Sequence, residues 1–316
     1  MKRKAPYSQR GAALLAAMLT VALVATFAAG ALWQQWKLIE IESAERQRTQ
    51  ARWLLTGALD WARVILREDA RASDASAPTD HLAEPWAVPL QEARLSSFLA
   101  ALPDGTGNTV DDDRFARQVL LSGSVSDLQG RLNVTNLLQG DKLDGKTVLA
   151  FERLFDVLGA PPAQLSLLTQ GLLTAQKQSS NSPLMPQRVG QLSWLGLSPQ
   201  TLQILEPHVT VLPTRTAVNL NTASVQVLYA SVPGLSLSDA QRMAQQRERQ
   251  HWPHVDAFQK ALGRTISLTD THSVSTQYFE VLGRLRMPQT TLQERSLVKR
   301  EGLELKVLWR ESGSLQ

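Results

Sequence analysis

The sequence contains no cysteine among its 316 residues. This absence excludes disulfide bonds, thiol catalysis and thiolate metal sites, but it leaves the compartment open because an extracytoplasmic protein does not need disulfides. The chain also lacks the P-loop, the dinucleotide-binding motif G-x-G-x-x-G and the nucleophile motif G-x-S-x-G. NTPase, dinucleotide-dependent and α/β-hydrolase chemistry therefore have no support, and we predict that the protein is not an enzyme.

Acidic residues are absent from the first 11 positions, which carry the four basic residues Lys2, Arg3, Lys4 and Arg10. The formal net charge of the whole chain is +4, so the remainder of the chain is neutral. This confined basic excess indicates a targeting signal rather than a surface for nucleic acid or another polyanion.

Charged residues are likewise absent from residues 12–33, an apolar run about as long as a membrane-spanning helix requires. The preceding positive charges predict that the N-terminus stays cytoplasmic and that the rest of the chain lies outside. An ordinary secretory signal peptide is the alternative, since the small residues 28–31 offer a cleavage site.

Proline is absent from residues 12–71, and only Gly30 and Gly57 interrupt a helical pattern. The later part of this segment is amphipathic, with apolar residues at helical spacing that form one broad stripe. Its members are Leu54, Leu55, Ala58, Leu59, Trp61, Ala62, Ile65 and Leu66. Since a discarded signal peptide need not continue into such a helix, the pattern favours a retained helix of about 60 residues, or roughly 90 Å.

The rest of the chain predicts an α+β protein. Residues 119–134 alternate around a turn at residues 127–130 and predict a strand pair. Residues 145–263 predict short helices, the first of which ends at Gly159. The apolar face of that first helix is predicted to consist of Leu149, Leu154, Phe155 and Leu158.

The chain ends in three β-rich runs, residues 278–286, 290–299 and 303–310. In the last run apolar residues alternate with other residues, which predicts one buried face. The residues predicted to share that face are Leu303, Leu305, Val307 and Trp309.

Metal-ligating patterns are weak. Only His251 and His254 form a close histidine pair, and Pro253 prevents a regular helix from presenting both rings to one metal. An acidic stretch begins at Asp104, but the twelfth position of an EF-hand started there is Phe115 rather than an acid. We predict no metal site and no cofactor, and we interpret the run Asp111, Asp112 and Asp113 as part of a solvated loop.

Residues 219–263 resemble a helix-hairpin-helix unit, a module that in many proteins binds the DNA backbone. Such hairpins use two glycines, so that backbone N–H groups can approach a phosphate at a helix N-terminus. Here Gly234 is present, but Ser236 replaces the second glycine and Asp239 adds a negative charge to the first turn of the next helix. That charge suits the helix dipole and opposes a phosphate, which favours a structural role. A membrane-tethered DNA-binding receptor is the alternative function.

A short basic leader ending in glycine, then a small residue, an apolar run and a long amphipathic helix, resembles the N-terminus of type IV pilin-type proteins. In that family a prepilin peptidase cleaves after the glycine and methylates the new N-terminus. The resemblance implies cleavage between Gly11 and Ala12 and N-methylation of Ala12. Most members carry Glu as the fifth mature residue, where this chain has Ala16. The K minor pseudopilins of type II secretion systems (general secretion pathway protein K) typically lack that glutamate.

Later segments are similar to successive K-family segments in the same order. They are residues 80–90, 121–138, 217–236, 275–285 and, more loosely, 295–300. Some members bind calcium through an Asp-rich segment in a helical domain. The corresponding stretch here, residues 167–186, has no acidic residue, so calcium is not carried over.

The resemblance implies a pilin-like long N-terminal helix packed on an antiparallel sheet, with a large inserted all-helical domain that contains the helix-hairpin-helix-like unit. The implied divisions are a leader (1–11), a transmembrane helix (12–35), a pilin-like helix with the first strands (36–139), the inserted domain (140–272) and C-terminal strands (273–316).

The implied function is that of a minor pseudopilin at the tip of the periplasmic pseudopilus, which initiates assembly for the export of folded proteins across the outer membrane. The implied localisation is the inner membrane, spanned once, with the C-terminal domain in the periplasm. The expected partners are I-type and J-type minor pseudopilins, other pseudopilins and the processing peptidase, with no nucleic acid. We predict that a partner helix packs on Leu54, Leu55, Ala58, Leu59 and Ala62.

Overall fold

The computed structural model describes residues 10–73, 78–100, 117–180, 182–264, 266–268, 270–288 and 290–315. The chain divides into two compact units, Met1–Thr56 and Gly57–Gln316. In chain order the described helices and strands are α1 (Arg10–Ala72), β1 (Leu90–Arg94), α2 (Leu95–Ala100), β2 (Leu120–Asp127), β3 (Leu132–Asn133), β4 (Leu138–Gln139), β5 (Lys142–Leu143), α3 (Gly145–Leu158), α4 (Pro162–Gln176), α5 (Pro199–Leu205), β6 (Val209–Thr210), β7 (Val218–Asn219), α6 (Val225–Ser231), α7 (Leu237–Arg249), α8 (Val255–Leu262), β8 (His272–Ser273), β9 (Tyr278–Arg286), β10 (Thr291–Glu301) and β11 (Glu304–Leu315).

The first unit consists, in its described part, of the beginning of helix α1. The helix runs unbroken for 63 residues, as its lack of proline predicts, and residues 12–50 are exposed throughout. Its most apolar 18-residue window has a mean hydropathy of 2.3, and none of that window is buried. By length and composition this helix is able to cross a membrane.

The second unit is organised around an antiparallel sheet of order β1-β2-β9-β10-β11. Strand β2 pairs with β9, although α3–α8 lie between them in the sequence. The prediction that residues 119–134 form a strand pair is therefore wrong. A 3-10 helix, Leu128–Gly130, follows β2, and β3 pairs in parallel with β6 instead.

The family resemblance implied that the inserted region is all-helical. The structure shows that the region between β2 and β9 also contains short strands. Besides α3–α8 it contains the two-stranded pairs β3–β6 and β4–β5, and it ends with the pair β7–β8. These ladders are only two residues long. Propensity patterns miss such short pairs because their strands are set by tertiary contacts rather than by a run of β-branched residues.

Helix α1 packs on one face of the sheet within the second unit. Leu59, Ala62 and Leu66 form a buried cluster with Phe279 and Val281 of β9, and with further residues from the loop after α1 and from β10 and β11. Burial of each large apolar side chain contributes about 1.5–3 kcal/mol, so this face holds the helix on the sheet.

The first helix of the region between β2 and β9 ends as its sequence predicts. Gly159 adopts a left-handed conformation, with φ 66°, and its N–H bonds to carbonyls of the last turn of α3. The buried face of α3 is Phe151, Leu154 and Phe155, whereas Leu149 is 61% exposed. The prediction was therefore wrong for Leu149, because the spacing 151, 154, 155 fits one helical face better than a step of five residues.

A β-bulge in β11 corrects a second prediction. Val307 pairs with Val298, but Trp309 pairs with Leu297, so one extra residue, Leu308, lies between them. Leu305 packs in the cluster on the α1 side, while Trp309 packs against the cluster that contains Leu297. An inserted residue moves all later side chains to the other face, which is why Leu305 and Trp309 do not share one face.

Candidate interaction surfaces and polar junction

The apolar part of α1 in the first unit is a candidate membrane surface. Ala12 and Ala16 lie exposed on the helix, and Gly11 lies within it. The leader residues 1–9 fall outside the described residues. Cleavage between Gly11 and Ala12 therefore stays a prediction.

The residues predicted to contact a partner helix divide into two groups. Leu55, Leu59 and Ala62 are buried in this chain, with Leu59 and Ala62 in the core beneath the sheet. Leu54 and Ala58 are half-buried. A side chain already packed in the core is not available to a partner, so only the second group retains surface for the predicted contact.

A different stripe of α1 faces outward in the second unit. Gly57 is exposed, with open space where a Cβ would lie, and Trp61 and Val64 are each 43% exposed. These residues share one side of the helix because positions three and four apart are neighbours on its surface. Periodicity alone did not separate this stripe from the buried one, since both contain apolar residues.

A buried salt bridge joins the end of α1 to the sheet and to the loop after the helix. The guanidinium of Arg300 on β10 donates to Asp69 of α1 at 2.9 Å, to Asp80 and to the carbonyl of Thr276 at 3.1 Å. The second oxygen of Asp80 accepts the N–H of Thr276 at 2.7 Å. Burial is the largest cause of the raised pKa of Asp69, and Arg300 opposes it. We use the name polar junction for this salt bridge together with the hydrogen bonds described next; its members are Asp69, Asp80, Thr276, Arg300, Asp127, Asn219 and Thr222.

The second half of the polar junction ties the region between β2 and β9 to the same loop. Asn219 donates its amide to the carbonyl of Asp80 at 3.0 Å and to the Asp127 carboxylate at 2.9 Å. Thr222 donates its hydroxyl to the same carboxylate at 2.6 Å. Burial raises the pKa of Asp127, which these donors partly offset. A Cβ on Gly130 would lie 2.7 Å from the Thr222 hydroxyl, so this approach requires glycine.

Ligand oxygens of Asp69, Asp80 and Glu84 lie within 4.8 Å of one another, as in many cation sites. Arg300 already supplies a positive charge to two of these carboxylates. The arrangement is therefore explained as a charge network of the chain itself. Sequence reasoning missed it because Asp69, Asp80 and Arg300 are isolated in the sequence and no short motif joins them.

His251 and His254, the close histidine pair of the sequence, have different surroundings. The ring of His251 stacks on that of His81, whereas His254 is exposed at the start of α8. Asp104, Phe115 and the run at residues 111–113 lie outside the described residues.

The predicted helical hairpin consists of α6, a turn at residues 232–236 and α7. Arg153 donates to the turn carbonyls of Val232 and Leu235 at 2.7 and 2.6 Å, and Arg264 donates to that of Gly234 at 2.8 Å. Ser236 caps α7 by accepting the N–H of Asp239. Arginine side chains of this chain thus bind the carbonyl groups of the turn and stabilise it.

Asp239, in the first turn of α7, is engaged by two arginines. Its carboxylate lies 3.0 Å from Arg242 and 3.6 Å from Arg264, and the bonds from Arg242 and Ser236 lower its pKa. A carboxylate paired with the chain's own arginines therefore occupies the helix start where a DNA-binding hairpin would receive a phosphate.

Together these features define a class of protein. Helix α1 is apolar in the first unit, and its later residues pack on an antiparallel sheet within the second unit. Helical segments lie, in the sequence, between two strands of that sheet. This architecture is pilin-like, and its N-terminal helix is able to cross a membrane by length and composition.

Comparison with known proteins shows which family the chain is similar to. The family model of "Type II secretion system (T2SS), protein K" matches residues 218–275. The Type II secretion system protein K of Pseudomonas aeruginosa is 27% identical over 304 residues, covering 88% of this chain and 85% of that protein. The protein K of Klebsiella pneumoniae is 26% identical, covering 97% of both.

A solved chain has the same fold. It belongs to the crystal structure of the GspK-GspI-GspJ complex from the enterotoxigenic Escherichia coli type 2 secretion system, with a TM-score of 0.61 at 20% identity, covering 85% of this chain and 98% of that one. Over most of its length the chain is similar to the type II secretion system protein K family, the minor pseudopilins. Its apolar N-terminal helix is consistent with anchoring in the inner membrane.

Proposed function

We propose that this chain is a minor pseudopilin that occupies the tip of the periplasmic pseudopilus and initiates its assembly for the export of folded proteins across the outer membrane. The observation that carries the proposal is the alanine at position 16. A carboxylate buried among apolar helices is costly unless it is paired. In pilin-type filaments the fifth-residue glutamate pairs with the N-terminal amine of the subunit ahead. The first subunit has no subunit ahead of it, and an alanine avoids the unpaired charge.

The bulk of the chain supports the same position. Helices α3–α8 lie between β2 and β9 and form a hydrophobic core of their own. Such bulk on every subunit would obstruct a close-packed helical array, while at the tip it has space. Residues 140–272 are the proposed limits of this inserted domain, between pilin-like parts at 36–139 and 273–316.

The proposed partners are I-type and J-type minor pseudopilins. The related structure contains GspK with GspI and GspJ, and partners anchored in the same membrane would bring their own N-terminal helices parallel to α1. The exposed stripe of Gly57, Trp61 and Val64 is the surface that we assign to such a helix. Glycine and aromatic residues suit this role, since the first permits close approach and the second supplies buried area.

The proposed topology places the N-terminus in the cytoplasm, one span in the inner membrane and the second unit in the periplasm. Prepilin peptidase would then act between Gly11 and Ala12. Mass spectrometry of the mature N-terminus tests this: a chain that starts with N-methylated Ala12 is expected, and a chain that starts at Ala31 or Leu32 would contradict it.

Immunogold labelling of isolated pseudopili tests the position. We expect label at one end of each filament, at one copy per filament. Label along the shaft at many copies would overturn the tip assignment and leave the similarity to the protein K family intact.

A further inference from the structure

A pair of stacked histidines joins the loop after α1 to the region between β2 and β9. His81 lies in the post-helix loop, residues 78–89, and His251 lies in the turn between α7 and α8. Their ring centroids are 3.9 Å apart and their planes differ by 14°. Neither histidine belongs to the polar junction or to the exposed stripe of α1.

The carboxyl group of Glu84 lies beside this stack. One of its oxygens lies 3.5 Å from Nε2 of His81, and the other accepts the backbone N–H of His81 at 3.1 Å and the indole N–H of Trp86 at 2.5 Å. Burial raises the pKa of Glu84 to about 7, so this carboxyl group becomes neutral as the pH falls below that value.

Asp80, the residue before His81, is bonded into a network with two further charged groups. Asp80 comes from the post-helix loop, Asp69 from α1 and Arg300 from β10, and the Arg300 guanidinium bonds to both carboxylates. Asp80 attracts a proton to His81, but burial and the neighbouring His251 outweigh it, and together they lower the pKa of His81.

Within the described part of the chain, Glu84 and Asp80 are the carboxyl groups shown to act on His81, and each is limited as a counter-ion for a second proton on the facing imidazoles. A single protonated ring can stack on a neutral one, whereas two imidazolium rings at 3.9 Å repel each other. Below about pH 7 the Glu84 carboxyl group becomes neutral, and the charge of Asp80 is balanced by Arg300. The geometry thus makes the contact sensitive to proton concentration.

We propose that the His81–His251 stack is a pH-sensitive contact that holds the post-helix loop to the α7–α8 turn when the rings are neutral and releases it on acidification. Because the pKa of His81 is lowered in the fold, its stabilising effect is full above its unfolded pKa of about 6.5 and is lost as the pH falls below that value. Glu84 changes the stability of the fold with pH in the opposite direction. Its raised pKa makes the fold more stable as the pH falls from about 7 towards its unfolded value, so the release must come from the histidines.

Hydrogen–deuterium exchange of the full-length chain in detergent micelles tests the proposal. Labelling times are scaled to the intrinsic exchange rate at each pH, and α3 serves as an internal reference. Between pH 7.5 and 5.5 we expect exchange in residues 78–89 and 250–254 to rise by about tenfold or more, while α3 is unchanged.

Two phenylalanine variants give the matched comparison. His251→Phe keeps a stacked ring that cannot be protonated and should abolish the rise, whereas His254→Phe replaces an exposed histidine outside the stack and should preserve it. His81→Phe repeats the test from the other ring. Equal pH dependence in His251→Phe and the parent chain, or none in the parent chain, would overturn the proposal.

Nuclear magnetic resonance of ¹³C-labelled histidine supplies a readout that a purely structural contact would not change. In His251→Phe the pKa of His81 should rise above that in the parent chain, because a neighbouring positive charge is gone. An unchanged His81 titration would contradict the coupling.

Discussion

Arg300 on β10 and Asp80 in the loop after α1 form a buried salt bridge, although 220 positions separate them in the sequence. The Asp80 side chain is fully buried and that of Arg300 is 9% exposed. Because Arg300 also bonds to Asp69 of α1, one guanidinium connects the helix, the sheet and the loop. The polar junction therefore holds the end of α1 and the loop after it against β10 in the second unit.

Replacement of Arg300 by glutamine should be strongly destabilising. It leaves the carboxylates of Asp80 and Asp69 buried without their cation, which costs about 3–5 kcal/mol of unfolding free energy. The exposed pair Arg286–Glu92 provides the control, and Arg286→Gln should change stability by less than about 1 kcal/mol. Urea unfolding of both variants measures the difference. Equal losses in the two variants would show that the buried pair has no special role.

The sequence was sufficient for elements with a local signal. The length of α1 follows from the missing prolines, the end of α3 from Gly159 and the three final strands from their β-rich runs, which the structure extends to Glu301 and Leu315. These signals act within one element, where neighbouring residues decide the conformation.

Features that depend on distant parts of the chain were not predictable. The pairing of β2 with β9 and the contacts of Arg300 join residues far apart in sequence, and no periodicity reports them. The bulge at Leu308 shifts Trp309 to the other face without a glycine or proline to mark it. On α1 the pattern gave the apolar stripe, but only packing distinguished buried Leu59 from exposed Val64.

The fold should lose stability at acidic pH through His272. This ring is 3% exposed, contacts Ser231 and Thr271, and has its pKa lowered to about 4 by burial. A lowered histidine pKa gives stability that is full above about pH 6.5 and is lost as the pH falls towards 4, a loss of about 3 kcal/mol. Urea titrations at several pH values give the slope of the unfolding free energy against pH for the parent chain and for His272→Gln. The difference between these two slopes isolates the effect of His272 from that of Glu84. Parallel slopes would contradict the assignment.

Val64→Glu should weaken assembly without unfolding the chain. Its side chain is 43% exposed on the stripe that we assign to a partner helix, so a charge there is tolerated in the free protein and opposed at an apolar interface. Leu237→Glu, at a 40% exposed helical position outside α1, is the matched control. Co-purification with the I-type and J-type pseudopilins from membranes should fall only for Val64→Glu. If a folded Val64→Glu protein still co-purified with these partners, the stripe would not be the partner-helix interface. Leu59→Glu is unsuitable for this test because Leu59 is buried in the core.

Duplex DNA should bind weakly, and what binding occurs should vanish steeply with salt. The hairpin turn has its carbonyls held by Arg153 and Arg264 and carries the carboxylate of Asp239. Fluorescence anisotropy with a labelled duplex at physiological salt measures the affinity. Micromolar or tighter binding would support the DNA-receptor alternative instead.

Ala16→Glu should be neutral or mildly harmful to secretion and should not improve it. If this subunit is the first in the filament, a glutamate at position 16 has no amine of a preceding subunit to pair with, and an unpaired carboxylate among apolar helices is costly. Ala16→Gln is the control, since it places a side chain of similar size there without the charge. Secretion of an exoprotein is measured in a strain that lacks the parent gene, with the amount of mature protein in the membrane checked for each variant. A clear gain of secretion or of pseudopilus number with Ala16→Glu would mean that a subunit does lie ahead, and the tip position would then be wrong.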